Sequence, residues 1–327
     1  MRYYIDRLKK IGRMLDTHID EELSLLQKAF IICDLGISVV IYGSGINDYF
    51  QYKFYKRRHV DKKTFIVHRK RMKIIKTMNA EIDRRIFDNK TTFNKTFSGY
   101  IKRNWLDMST TSLEEFKDFC RCNNKFIVKP SDGSHGKGIR IESVKGEEKI
   151  KPLYSELKKE NALIEEVITQ HRELREFNPT SVNTIRVVTL LKNSEEVEIM
   201  TANFRMGNGE RFADNFHHNG IASLLDVERG IVITPGIDMM LNQFIIHPKS
   251  EKQIIGYQIP HWNEVVATVK EAAKVVPTVK YIGWDVVIGD DGNIIIIEGN
   301  AAADPDISQM PDQIGKWPLY KDYILKN

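Results

Sequence analysis

The sequence is poor in cysteine and has no long uninterrupted apolar run, and both absences limit the class of protein. Three cysteines cannot form a disulfide framework, and they fit a reducing cytosol, so we expect a cytoplasmic protein. The charged N-terminus has no apolar region behind it, which argues against a secretory signal peptide. The longest apolar run, residues 29–46, is interrupted by Asp34 and three glycines, so we predict no membrane span.

Several common catalytic and binding patterns are also missing. The N-terminal part shows no strand–helix alternation, which argues against a Rossmann domain. Gly138 stands where a P-loop requires Ser or Thr, and no Ser/His/Asp or Cys/His arrangement indicates a covalent nucleophile. No recognised nucleic-acid module is present, so we expect no nucleic-acid partner.

Positive charge is concentrated in one segment. Residues 51–110 contain 17 Lys and Arg against 5 Asp and Glu, although the net charge of the whole chain is only +5. One interpretation is a solvated helical surface. The other is a surface for an anionic substrate or for peripheral association with an anionic membrane leaflet.

Apolar spacing predicts an α+β protein that begins with a mainly helical region, residues 1–95. Asp88 is a candidate N-cap for a helix over 91–100, and Ser112 with Glu115 forms a candidate capping box. A further amphipathic helix is predicted over 262–275. The predicted strands are 126–129, 139–143, 163–168, 183–190, 195–206 and 221–226, followed by a hairpin over 281–300.

That hairpin carries two acidic residues in otherwise apolar strands. If Asp291 and Gly292 form the turn, counting back pairs Val286 with Ile297 and Asp285 with Glu298. Asn300 then points to the same face as Glu298. Four isoleucines precede Glu298, so we expect it to be buried; the alternative is an edge hairpin with solvated acids.

Two opposed carboxylates in an apolar sheet require either a shared proton or a cation between them. Oxygen ligands from Asp, Glu and Asn suit Mg²⁺, with Mn²⁺ as a possible substitute. The pattern therefore predicts a divalent metal site at the end of the hairpin.

A glycine-rich loop, residues 131–138, separates two predicted strands, and Lys129 precedes it. Such a loop can fold over phosphates and donate backbone N–H groups, although an ordinary flexible hairpin has the same pattern. Arg186 lies among apolar residues, which predicts an anionic partner, either a structural carboxylate or a ligand.

Taken in order, these motifs resemble the ATP-grasp superfamily over roughly residues 88–305. They are a lysine after an aspartate (Lys90), Lys129 before the glycine loop, the segment Glu165–Ile168, and the terminal D…ExN set. The segments NTIRVVT and IGWDV…DDGNIIIIEGN are most similar to the group called sugar-transfer-associated ATP-grasp. The resemblance implies an ATP-grasp fold in which two α+β lobes, 96–168 and 169–327, clasp ATP after the helical region.

The resemblance also implies roles for individual residues. Lys90 and Lys129 would hold ATP phosphates, and Arg186, Arg205 and Asn215 would face the transferred phosphoryl group. Mg²⁺ would be held by Asp285, Glu298 and Asn300. Some relatives carry an arginine where this chain has Gly283, so Arg186 or Arg205 would supply that charge. The implied nucleotide-binding residues are Gly133, Ser134, Gly136, Lys137 and Gly138 in the loop, and Glu165, Glu166, Val167 and Ile168 around the adenine and ribose.

The implied activity is an ATP-dependent ligase that converts a carboxylate into an acyl-phosphate for attack by an amine or similar nucleophile. The substrates would be small or glycan-linked, in cell-surface polysaccharide or glycan-precursor synthesis, with residues 51–110 as a possible contact to that machinery. The alternatives are a kinase acting on a sugar or alcohol, and a nucleotide-binding scaffold of a membrane glycan assembly.

Overall fold

The computed structural model describes residues 2–19, 23–130, 138–209, 216 and 220–325. Its helices are α1 (Arg2–His18), α2 (Leu25–Tyr42), α3 (Ile46–Gln51), α4 (His59–Lys62), α5 (His68–Met78), α6 (Glu81–Asp88), α7 (Lys90–Thr96), α8 (Ser98–Ile101), α9 (Leu113–Cys122), α10 (Ile150–Lys159), α11 (Arg172–Arg175), α12 (Trp262–Ala272), α13 (Asp306–Gln309) and α14 (Trp317–Leu325). Its strands are β1 (Trp105–Asp107), β2 (Lys125–Pro130), β3 (Arg140–Ser143), β4 (Ala162–Glu166), β5 (Thr184–Leu191), β6 (Val197–Met206), β7 (Ile221–Leu224), β8 (Gly236–Ile237), β9 (Gln243–Phe244), β10 (Tyr281–Ile288) and β11 (Ile294–Asn300). The α+β class predicted from the sequence is confirmed.

The smaller sheet has four antiparallel strands in the order β1-β4-β2-β3. Helices α9 and α10 bury Phe116 and Leu157 against Phe126 and Ile164 of this sheet. The predicted capping box of α9 is present, because Ser112 accepts from the backbone N–H of Glu115 and the Glu115 carboxylate accepts in return. These elements form a compact unit, and the 131–137 loop leaves it at the end of β2.

The larger sheet has seven antiparallel strands in the order β11-β10-β5-β6-β7-β8-β9. One face packs against α12, with Trp262 and Val265 in the same core as Val187 and Trp284. Because side chains alternate between faces, the preceding and following residues point to the opposite side. There α5 and α14 cover part of the sheet, and Arg186 and Asp285 lie on that second face.

The N-terminal helices pack directly against the larger sheet. Ile75 of α5 and Phe93 of α7 belong to the buried cores on its two faces. Asn79 donates to the carbonyls of Tyr281 and Ala301 at 2.7 and 2.6 Å, which fixes the ends of β10 and β11. The domain boundaries placed at 95/96 and 168/169 remain predictions.

Two local predictions are wrong. Asp88 ends α6, and the N-cap of α7 is Asn89, whose side chain accepts from the Thr92 backbone N–H at 2.8 Å. The apolar run is not broken at Asp34 or Gly36, because α2 continues through both and ends at Gly43. By length and composition alone, α2 is long and apolar enough to cross a membrane, and the absence of a membrane span stays a prediction.

Candidate active site

The carboxylates of Asp285 and Glu298 face each other across β10 and β11, as predicted, although the path of the chain between them differs. The turn is one residue longer than expected: Gly289 pairs with Asn293, and Gly292 takes a left-handed backbone with φ of 79°. This shifts the ladder, so Val286 pairs with Ile296 instead of Ile297. A bulge between Val286 and Asp285 restores the register, and Asp285 pairs with Glu298.

The two carboxylates of this pair have opposite pKa shifts. Burial opposes ionisation of Asp285, but Arg186 and Arg205 outweigh it and hold the pKa of Asp285 well below its usual value. Desolvation and the charge of Asp285 raise the pKa of Glu298. Glu298 was expected to be buried; instead the residue is exposed, although protein atoms surround its carboxylate closely enough to disfavour its charge. Glu298 is therefore the carboxylate of the pair that binds a proton more readily.

Two arginines hold Asp285 from the second face of the larger sheet. Arg186 Nη2 lies 3.0 Å from Oδ2 and its Nε also donates to Oδ1, while Arg205 Nη1 lies 2.9 Å from Oδ1. Gly283 gives this arrangement room: a Cβ there would lie 2.7 Å from Ala303 Cβ and 3.4 Å from the Arg186 guanidinium. Arg186 thus fills the space beside position 283 where some relatives of the resembled family carry an arginine.

The oxygen donors at this site fit a magnesium ion. The three bonds from arginine leave about one of the four lone-pair positions of the Asp285 carboxylate. Glu298 offers a second carboxylate opposite Asp285, and Asn300 Oδ1 accepts from the Ala302 backbone N–H at 2.8 Å with one lone pair left. Within the described ranges no three His, Cys, Asp or Glu side chains cluster as metal ligands.

Lys129 belongs to a second charged cluster, in which two cations share one carboxylate. Its Nζ lies 2.5 Å from Oε2 of Glu165, which is only 2% exposed. Arg103 donates to both oxygens of the same carboxylate at 3.1 and 2.9 Å, and Asn94 adds a bond of 3.2 Å. These cations outweigh the burial of Glu165 and hold its pKa well below its usual value. Glu165 therefore orients Lys129 with its carboxylate.

Arg103 joins this cluster to the acidic pair, and no motif in the sequence pointed to this residue. Besides Glu165, its guanidinium donates to the backbone carbonyls of Ile296 and Ile297 at 3.0 and 3.3 Å. These carbonyls lie at the bulge that brings Glu298 opposite Asp285. One buried side chain thus connects β4 of the smaller sheet to β11 of the larger. The charge of Lys129 also acts on Glu298, which shows that the two clusters are neighbours.

Lys90 lies beside the start of the glycine-rich loop. Its Nζ is 3.3 Å from the carbonyl oxygen of Pro130, the last residue of β2. The helix α7 comes close to β11 because Gly299 has no side chain: a Cβ there would lie 2.9–3.0 Å from Phe93 and Phe87. The glycine of the E-G-N motif thereby allows the lysine-bearing helix to pack against the strand that carries Glu298.

A family model described as sugar-transfer associated ATP-grasp matches residues 50–322. This match covers most of the chain. The chain belongs to the sugar-transfer-associated ATP-grasp family. Its fold is therefore the ATP-grasp fold, and the two antiparallel sheets are the sheets of that fold.

Solved structures with limited similarity to this ATP-grasp chain include three ligases or synthetases. The ATP-grasp ligase PsnB, complexed with a phosphomimetic variant of its minimal precursor, Mg and ADP, is 15% identical with a TM-score of 0.45, and the match covers 76% of this chain and 60% of PsnB. The D-cycloserine synthetase DcsG is 12% identical with a TM-score of 0.43, covering 74% and 71%. D-alanyl-alanine synthetase A from Vibrio cholerae is 10% identical with a TM-score of 0.44, covering 74% and 65%. The chain spans less than two thirds of the length of the PsnB chain, and no curated protein matches it significantly.

The other predicted nucleotide contacts of this ATP-grasp chain lie around the end of β4. Glu166 Oε2 accepts from the backbone N–H and side-chain amide of Asn104 at 3.0 and 3.1 Å. Val167 and Ile168 follow β4 and are half-buried, and Gly138 begins the chain segment after the loop. Their contacts with a nucleotide remain predictions. The predicted residues Gly133, Ser134, Gly136, Lys137 and Asn215 lie outside the described residues.

Proposed function

We propose that this ATP-grasp chain is an ATP-dependent ligase that joins a carboxylate to an amine or similar nucleophile. The observation that carries the proposal is the pair Asp285–Glu298, two carboxylates opposed across β10 and β11 whose pKa values are shifted in opposite directions. The oxygen atoms of Asp285, Glu298 and Asn300 would bind Mg²⁺, or Mn²⁺, together with the phosphates of ATP.

The chemistry follows from the poor reactivity of a carboxylate. One carboxylate oxygen attacks the γ-phosphorus of ATP, the bond to the β–γ bridging oxygen breaks, and ADP leaves. The amine then attacks the acyl carbon of the acyl-phosphate, inorganic phosphate leaves with the bonding electrons, and the amine loses a proton. A bound divalent cation would supply charge neutralisation at the phosphates.

The residues of the chain have separate roles in this proposal. Lys90 and Lys129 bind phosphate oxygens, and residues 133–138 cover them. Arg186 and Arg205 keep Asp285 ionised and add positive charge beside the transferred phosphoryl group. Glu165 to Ile168 border the adenine and ribose, Glu165 through its backbone, since its carboxylate binds Arg103 and Lys129. The metal ligands are Asp285, Glu298 and Asn300.

The substrate class follows only from the family description, which links the group to sugar transfer. We therefore propose carboxylate and amine substrates that are small or linked to a glycan, used in the cytoplasm in polysaccharide or glycan-precursor synthesis. Residues 51–110, with their excess of Lys and Arg, are the proposed contact to membrane-associated partners of this synthesis.

The deciding experiment traps the acyl-phosphate. The purified chain is incubated with ATP, Mg²⁺, hydroxylamine and pools of amino acids, sugar acids and uronic acids. A ligase forms hydroxamate and inorganic phosphate in equal amounts with a specific carboxylate. If ADP forms with the phosphate attached to a sugar or alcohol, the chain is a kinase and the ligase proposal fails. If no pool supports ADP release above that of Glu298→Gln, the enzyme proposal itself is rejected.

A further inference from the structure

The helix α2 exposes an unusually apolar surface. Its 18 residues bury only Ile31, Leu35 and Ser38, whereas Leu26, Phe30 and Val40 are 84%, 67% and 74% exposed. The exposed large apolar side chains of α2 are Leu25, Leu26, Phe30, Ile32, Ile37, Val39, Val40 and Ile41. At 3.6 residues per turn these residues and Cys33 cover the whole solvent-facing half of the helix, about 27 Å long. Soluble monomers rarely expose a continuous apolar patch of this size.

This helix is fixed to the rest of the protein by its other side. Ile31 and Leu35 pack in the core that contains Tyr49 and Phe50. Asp34, the only acidic residue of α2, receives Lys62 Nζ at 2.7 Å on both oxygens and the Tyr49 hydroxyl at 2.8 Å. The Lys62 side chain is nearly completely buried. Crossing a membrane would separate this buried ion pair at high cost, so the attached helix can only lie flat against a surface.

The surroundings of the apolar face are basic. Residues 23–70 contain nine Lys and Arg against three Asp, and each of the three aspartates is engaged in hydrogen bonds within the protein. Arg69 donates to the last-turn carbonyls of Val40 and Ile41 at 3.0 and 3.3 Å and is itself exposed. Lys56 lines a surface hollow together with Leu26 and Phe30. An apolar stripe with cations at its edges complements an anionic lipid surface.

The composition of the face favours lipid over a protein partner. Protein interfaces rely on Trp, Tyr and Arg anchors seated in pockets. The eight large exposed side chains of α2 include one phenylalanine, and the other seven are Leu, Ile or Val. Such aliphatic side chains gain from transfer into hydrocarbon without needing a shaped partner.

We propose that α2 docks the protein on an anionic bilayer, lying in the membrane plane with Leu26, Phe30, Ile37 and Val40 among the lipid chains. Lys56, Arg58 and Arg69 then contact lipid phosphates at the edge of the helix. The proposal goes beyond the ligase activity and does not depend on it. It assigns the apolar part of the membrane contact to α2, whereas residues 51–110 were considered for their positive charge.

The experiment is co-sedimentation of the full chain with vesicles of phosphatidylcholine containing about 30% phosphatidylglycerol, without ATP. The test variant is Phe30→Gln/Ile37→Gln/Val40→Gln, because glutamine preserves helix propensity. The matched control, Ile82→Gln/Ile233→Gln/Ile314→Gln, changes exposed apolar residues elsewhere, which are 74%, 54% and 59% exposed. Binding should fall about tenfold or more in the test variant and remain unchanged in the control.

Two further measurements distinguish the outcomes. Vesicles of phosphatidylcholine alone and high salt should both weaken binding of the unmodified chain, since the cations contribute. Circular dichroism must show that the test variant keeps the helix content of the unmodified chain; if it unfolds, Phe30→Gln alone is measured against Ile82→Gln, with the same expected order. Binding of all variants alike overturns the proposal. The proposal also fails if the unmodified chain does not bind vesicles but forms a dimer, and the α2 variant is a monomer. The apolar face of α2 would then bind a second copy of the chain.

Discussion

Glu165 and Glu298 lie on either side of Arg103, yet their carboxylates are in opposite situations. Glu165 is buried and receives Arg103, Lys129 and Asn94, and its pKa is held low. Glu298 is exposed as a residue, but desolvation of its carboxylate and the charge of the opposing Asp285 raise its pKa. A carboxylate whose charge is balanced within the protein stabilises the structure. One whose charge is unbalanced is available to a ligand that brings positive charge.

Among the substitutions that test this difference between Glu165 and Glu298, Glu298→Gln should have the largest effect. It removes an expected metal ligand and should reduce ATP turnover about 10³-fold. The same change removes the repulsion with Asp285, so the melting temperature should stay the same or rise slightly. Steady-state ADP release and thermal unfolding measure the two effects. Turnover within tenfold of the unmodified chain would remove Glu298 from the site.

Glu165→Gln should have its main effect on stability. The change leaves the buried Arg103 and Lys129 without their carboxylate, which costs about 3–5 kcal/mol for a broken buried ion pair. Urea unfolding measures the loss. The control is Glu166→Gln: its partner is the amide of Asn104 in an exposed position, so the loss should be about 1 kcal/mol or less. Equal losses at the two neighbouring positions would contradict the distinction between them.

Arg103→Lys tests the connection between the two clusters. Lysine keeps the charge but cannot donate at once to Glu165 and to the carbonyls of Ile296 and Ile297. We expect the KM for ATP with Mg²⁺ to rise about tenfold, equivalent to about 1.4 kcal/mol, with a smaller change in kcat. Arg121→Lys is the control, since Arg121 is exposed and pairs only with Asp118 on the same helix. A change in melting temperature with KM unaffected would make Arg103 a structural residue only.

The carboxylate pair was predictable from the sequence because a hairpin aligns residues by counting from its turn. The count was wrong near the turn, which is longer by one residue, and right at Asp285 and Glu298, because a bulge at Ile297 corrects the shift. The prediction that two such acids need a shared proton or a cation depends only on their proximity. It therefore survived the error in the register, and the raised pKa of Glu298 agrees with it.

Other features depend on tertiary contacts that no local pattern reveals. Arg103 stands in the polar stretch 102–104, where the sequence does not distinguish a buried arginine from a solvated one. Its side chain is buried by its contacts with Glu165 and with the carbonyls of Ile296 and Ile297. Glu298 follows four isoleucines but opens to solvent, because the bulge turns the strand at that point. In α2, glycine and aspartate do not break the helix, since Lys62 compensates the charge and a capping box holds the first turn. The composition of a segment alone does not reveal which distant residues its side chains contact.

The smallest expected effect concerns magnesium without nucleotide. Mg²⁺ at about ten times its Kd should stabilise the unmodified chain by about 1.4 kcal/mol, a few degrees in melting temperature, and should not stabilise Glu298→Gln. The sign with pH follows from the raised pKa of Glu298. Its protonation contributes stability below that pKa, and the contribution is lost as pH rises through it. Magnesium competes with the same proton, so the stabilisation by magnesium should increase from about pH 5.5 to about pH 8. The variant Glu165→Gln keeps Asp285 and Glu298, so it should show the same trend from a lower melting temperature. A magnesium effect independent of pH would mean that the ion binds away from Glu298.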